Sequence, residues 1–164
     1  MFQVGERVVH PMHGAGVIEE ITRENFAGAV QEYYVFRMPY GGLVLKIPVA
    51  TSHLVGLRRL SQRDELLRLL WSLPSMEVLM DNNWNVRYRD NLQRLKSGDI
   101  YQVAWVVKGL TCRDQQKSLS TGERKLLHNA RQILLSEIAL VTGQTDEELE
   151  QLLQRAMSGD VIVI

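Results

Sequence analysis

The sequence predicts an α+β protein of two domains, a small N-terminal bent β-sheet or barrel followed by an all-α C-terminal part, and three observations carry that reading. Hydrophobic residues make up 45% of the 164 and charged residues 23%, a balance that buries a core and keeps the surface in water. Up to about residue 57 the hydrophobic pattern has a period near two, and from Ser61 onward it has the period of helices. A chain of this length holds one domain or two small ones, and the change of period places the boundary near residues 56–61. The expected parts are 1–57, 61–157 and a tail, 158–164.

The β-rich part is read from alternation. In Gln31–Met38, aromatic and β-branched residues dominate, and Tyr34, Phe36 and Met38 fall on one face. Pro39-Tyr40-Gly41-Gly42 supplies turn chemistry, after which Leu43, Leu45, Ile47 and Val49 resume the alternation. Arg7–His10 and Gly16–Ile21 read as two further strands around the loop Pro11–Ala15. Four or five short strands in so few residues predict a small, strongly bent sheet or barrel.

The helical part is read from caps and spacing. Ser61-Gln62-Arg63-Asp64 is a candidate cap for a helix carrying Leu66, Leu67, Leu69, Leu70 and Trp71, which Pro74 ends. Trp84 to Lys96 places Tyr88, Leu92 and Leu95 at helical spacing. Ser97-Gly98-Asp99 breaks that helix and caps another, with Ile100, Val103, Ala104, Val107 and Leu110 inward. Ser120-Thr121-Gly122-Glu123 reads as a capping box for a long helix with Leu126, Leu127, Ala130, Ile133, Leu134, Glu137 and Ile138 that stops at Gly143. Thr145-Asp146-Glu147-Glu148 repeats the device for a last helix to about Met157. The tail Val161–Ile164 fits either a disordered end or an exposed strand.

The formal net charge is zero, yet the charge is segregated. Residues 1–57 carry four Lys/Arg against five Asp/Glu, residues 58–135 carry fourteen against eight, and residues 136–164 carry one against six. A basic middle is a candidate footprint for nucleic acid, or simply a solvated charged surface. The N-terminus shows no signal-peptide pattern, no run is long enough to span a membrane, and a single cysteine, Cys112, fits a reducing compartment, so a cytoplasmic protein is expected.

Catalytic templates are missing in kind: no Walker loop, no G-x-S-x-G, no H-E-x-x-H and no dinucleotide fingerprint. The expectation is a protein without enzyme activity, metal or cofactor. His10 and His13 lie three apart, but no third ligand is near them in sequence, which favours a turn with partly buried histidines. Cys112 has basic neighbours and no nearby His to act as a base, which favours an incidental thiol.

One segment carries a function: Asn82-Asn83-Trp84-Asn85-Val86-Arg87-Tyr88-Arg89. It places a Trp at the start of a helix, where free N–H groups and the helix dipole attract phosphate, with Arg87 and Arg89 to add charge. An aromatic there can stack on a base or wedge between base pairs. Taken alone, the segment favours a Trp that belongs to the core, as most do.

The stretch from Trp84 to Leu92, continued by Leu95–Tyr101 and Leu119–Leu127, resembles the CarD/CdnL family of bacterial transcription regulators. The opening Phe2, Val4-Gly5, Val8-Val9-His10-Pro11 and His13-Gly14 is similar to the polymerase-interaction domain that this family shares with transcription-repair coupling factor. The resemblance runs from residue 2 to about 157. It implies a Tudor-like N-terminal domain that docks on the RNA polymerase β subunit and a helical domain on promoter DNA. It also implies that Trp84 enters the minor groove at the upstream edge of the bubble and holds the open complex. By the same resemblance Arg87, Arg89, Arg124 and Lys125 contact DNA phosphates, and Lys46 meets the polymerase. Two positions depart from the family pattern: Val86 stands where a basic residue is common, and Trp105 where an acidic or polar one is usual. Partly exposed packing is expected for Trp105.

Two other readings stay open. A protein-interaction adaptor would use both domains on proteins, and its binding would depend little on salt, whereas phosphate contacts make affinity fall steeply with ionic strength. A reader of methylated side chains needs an aromatic cage; Tyr33, Tyr34, Phe36 and Tyr40 supply rings, but alternation puts Tyr33 and Tyr34 on opposite faces, which argues against it.

Overall fold

The computed structural model describes residues 1–164 and has the α+β architecture expected. Five antiparallel strands, β1 (Arg7–His10), β2 (Gly14–Phe26), β3 (Ala29–Arg37), β4 (Val44–Pro48) and β5 (Arg58–Arg59), form one sheet in the order β4-β3-β2-β1-β5. A bulge between Ile18 and Glu20 shifts the β2–β3 register and bends the pair, as an extra residue in one strand must. The alternation decides which face is buried: Tyr34, Phe36 and Met38 are fully enclosed with Val8, Ile18 and Ile47, and Leu43, Leu45 and Val49 pack at the margin.

Six helices accompany the sheet: α1 (Ser52–Val55), α2 (Arg63–Ser72), α3 (Trp84–Lys96), α4 (Ile100–Gln116), α5 (Thr121–Thr142) and α6 (Asp146–Met157). The short α1 and strand β5 were not anticipated. Side chains of Asn83, Asp99, Ser120 and Thr145 accept N–H groups of the first turns of α3, α4, α5 and α6. The box at Thr145 is reciprocated by Glu148. The one at Ser120 is only half made, because the Glu123 carboxylate is engaged elsewhere. No side chain caps α2, since Ser61 gives both its N–H and its hydroxyl to Glu137. No helix is long and apolar enough to cross a membrane.

The larger core lies between the helices, where Leu66, Leu70, Leu95, Val107, Leu110 and Leu134 are buried together. Truncating Leu134 to Ala is a change of the kind that costs about 2 to 5 kcal/mol. The tail takes neither of the forms left open for it. Ile162 is buried in this core, Trp71 Nε1 donates to its carbonyl at 3.1 Å, and no strand pairs with it.

Helix α5 also seams the helices to the sheet. The Ala15 N–H donates to Ser136 Oγ at 2.8 Å, and Arg7 and Arg63 donate to the carbonyls of Leu140 and Val141 near the α5 C-terminus. Gly14, at φ +119°, lies so close to Ser136 that a Cβ there would overlap the hydroxyl, so this crossing requires glycine.

Candidate nucleic-acid interface

Trp84 is the first residue of α3, and its position is set from three directions. One turn on, the Tyr88 ring stacks beneath it with centroids 5.0 Å apart and planes 13° from parallel, the i,i+4 contact a helix offers. From α5, Ser120 Oγ accepts the indole N–H at 2.9 Å. The same hydroxyl accepts the Glu123 N–H at 3.2 Å, so one oxygen caps α5 and holds the indole. Gly122 makes the close approach possible, because a Cβ at that position would lie 3.2 Å from the indole Cζ2. The starts of α3 and α5 therefore meet at Trp84, whose side stays 40% exposed. It is neither a core Trp nor a free blade.

The cations divide. Lys125 and Arg124 are exposed in the first turns of α5, with Arg124 also donating to Leu119 O at 3.1 Å and Ser118 Oγ at 2.7 Å. Arg89 is exposed, with Asp90 3.9 Å away. At roughly 100° per residue it lies about 140° round α3 from Trp84, nearer the opposite face of the helix than the Trp surface.

Arg87 corrects the expectation of four phosphate contacts. Its side chain is 5% exposed and turned inward, paired with Glu123 at 2.5 Å, and its Nη1 donates to the carbonyls of Asp81 and Asn82 at 3.0 Å each. Its Nε and Nη1 are thereby engaged within the protein, and little of the side chain is left to meet a phosphate. Residues two apart on a helix face nearly opposite ways, so exposure of Arg89 turns Arg87 to the core. Tyr88, Gly122 and Glu123 belong to the site and were not singled out as such. The spacing of Trp84 and Tyr88 was the available signal for the first.

Lys46 is exposed on the free-edge strand β4 and pairs with Glu24 of β2. That hydrogen bond and the Glu24 charge hold its ammonium above the usual lysine range. Trp105 is half-buried with the Arg94 guanidinium 3.7 Å over its ring, a packing role as expected. Tyr34 and Phe36 are fully buried, which takes two of the four rings from any aromatic cage. The His10 and His13 rings lie 4.6 Å apart, and no group of three His, Cys, Asp or Glu side chains is placed to hold a metal ion.

A small antiparallel sheet is thus seamed to a helical unit, with a partly exposed Trp fixed where two helices begin. Both halves match family models: residues 2–61 that of the CarD-like/TRCF RID domain and residues 68–154 that of the CarD C-terminal domain. The chain is 33% identical over 150 residues to the candidate transcription factor YdeB of Bacillus subtilis (strain 168), covering 92% of this chain and 98% of that protein. It belongs to the CarD family.

Proposed function

We propose that this protein is a non-enzymatic regulator of transcription initiation. Its sheet docks on the RNA polymerase β subunit, with Lys46 at the contact, and its helical part sets Trp84 into the minor groove at the upstream edge of the promoter bubble. The observation that carries this reading is the partly exposed Trp84, fixed at the meeting of two helix starts, with Arg124 and Lys125 exposed in the first turns of the second helix. Family membership and the transcription-factor name of the relative support it.

Physically, the site suits a wedge at a place where stacking is already broken. Unstacking a base step costs a few kcal/mol, which the polymerase has largely supplied once the bubble is open. An indole already held by Tyr88 and Ser120 loses little further freedom on entering the groove, so more of its contact energy opposes reclosure. Arg89, Arg124 and Lys125 supply phosphate contacts and little sequence preference.

Co-purification with RNA polymerase and the lifetime of open promoter complexes with and without the protein test the reading. A longer lifetime is expected. Binding to polymerase with no change in open-complex lifetime, and no salt-dependent DNA affinity, would favour an adaptor.

A further inference from the structure

The Arg87–Glu123 pair lies 36 residues apart in sequence and nearly out of water, at the one place where the loop 81–83, helix α3 and helix α5 come together. Each end of the pair is tied to a group that places Trp84. On the Arg87 side, Nη1 gathers the carbonyls of Asp81 and Asn82, the two residues before the α3 cap Asn83. On the Glu123 side, the backbone N–H binds Ser120 Oγ, which accepts the Trp84 indole N–H. The carboxylate of Glu123 is the usual partner of its own cap residue in a capping box, and here it forgoes that bond for Arg87.

We infer that Arg87 and Glu123 are positioning residues: together they fix the direction in which the Trp84 indole faces, and neither touches DNA. This rests on the reading of Trp84 as the DNA-contacting residue and adds to it what holds that residue in place. A guanidinium is required because only its planar fork serves a carboxylate and two carbonyls at once, which a lysine ammonium on a flexible stem does not reproduce. With the fork gone, α3 and α5 still share the core in which Leu95, Leu126 and Ala130 are buried. The loop and the Ser120 turn then lose their common tie, and the indole samples other orientations.

The test uses the full chain labelled with 5-fluorotryptophan, the Trp84 resonance being assigned by its absence in Trp84→Phe. The variants are Arg87→Lys and Glu123→Gln, each checked by thermal melting. The probe is a duplex carrying a preformed bubble, titrated over a range of salt. Expected for both is a shifted or broadened Trp84 fluorine resonance, with the other two unchanged, and about tenfold weaker binding at every salt concentration. The slope of log affinity against log salt should not change, because no phosphate contact is lost. If Arg87→Lys fails to fold, Glu123→Gln carries the same readings. An unmoved Trp84 resonance overturns the inference, and so does a moved one with unchanged affinity. A slope reduced by about one in the charge-removing Arg87→Gln, with Trp84 unmoved, makes Arg87 a phosphate contact instead. A moved resonance in a protein whose wild type binds no DNA keeps the positioning role and retires the DNA reading.

Discussion

Arg58 and Glu137 meet across the seam between sheet and helices as a two-pronged pair, Nη1 to Oε1 at 2.6 Å and Nη2 to Oε2 at 3.1 Å. The Glu137 side chain has no exposed surface, and it also accepts the Ser61 N–H at 3.1 Å. Arg58 lies in the last strand of the sheet, Ser61 leads into the helical part, and one carboxylate therefore holds the turn between them onto the C-terminal half of α5.

Removing that carboxylate leaves a guanidinium and an N–H without their acceptor in a place water reaches poorly. Glu137→Ala is expected to cost about 3 to 5 kcal/mol, as breaking a buried pair from one side does. Replacing both partners, Arg58→Met with Glu137→Leu, should recover part of that loss, since no orphaned charge remains. Urea unfolding of the three proteins checks it, and a double variant as unstable as Glu137→Ala would mean that the Ser61 contact dominates.

Acid should loosen the start of the sheet. Burial, and secondarily the charge of His13, lowers His10 from its ordinary 6.5 to about 4, and burial lowers His13 as well. The neutral His10 ring is the form the fold uses, because Nδ1 accepts the Met12 N–H at 3.1 Å. A lowered folded value means that the unfolded chain takes up protons first, so stability is full above about pH 6.5 and is lost as the pH falls toward about 4. His10→Asn offers an oxygen near the Nδ1 position without titrating, and should flatten this part of the stability profile. Equal profiles for the two proteins would show that protonation of His10 is not what the fold resists.

Much of this was legible in the sequence where the physics is local. Period two placed Tyr34, Phe36 and Met38 inside, and Asp99, Ser120 and Thr145 announced their helices. What failed was non-local. Nothing near Glu123 says that its carboxylate serves Arg87 rather than its own cap, and nothing near Ser61 says that Glu137 claims it. Arg87 is the local exception: grouping it with Arg89 as surface charge overlooked that a step of two on a helix reverses direction. The docking of Ile162 under Trp71 likewise joins residues that only the packed bundle brings together.

At the sheet, Lys46→Glu should weaken binding to the polymerase β subunit about tenfold or more, because it replaces an attraction with a repulsion at the contact. It also sets two carboxylates together, since Glu24 is the present partner of Lys46. Lys46→Gln removes the charge without that repulsion and should fall between. Surface-immobilised full-length variants give the affinities, and DNA binding should be unchanged in both. Equal polymerase binding by all three proteins would take Lys46 out of the interface.

Among the exposed cations, Lys125→Ala and Arg89→Ala should each reduce the slope of log affinity against log salt by about one and weaken binding similarly on different sequences. Arg124→Ala should do the same and also loosen the turn at Leu119, whose carbonyl it holds. A variant that altered sequence preference at constant slope would assign that side chain to a base edge rather than a phosphate.

Trp84→Ala separates a platform from a core residue by its cost. A fully buried indole is worth about 3 to 5 kcal/mol on truncation, whereas here the losses are one ring stack and one hydrogen bond, about 1 to 3 kcal/mol together. The helical part should therefore stay folded with a modestly lower melting temperature, and polymerase binding should persist. Open complexes should dissociate faster, because the gap at the bubble edge is left empty. Trp84→Phe keeps a ring over Tyr88 but loses the bond to Ser120 Oγ, so it should sit between wild type and alanine in both measurements. The comparison is open-complex half-life beside a melting curve for each protein. If alanine unfolds the helices, Trp84 is core after all, and if it leaves the half-life untouched, the exposed indole serves some partner other than the bubble.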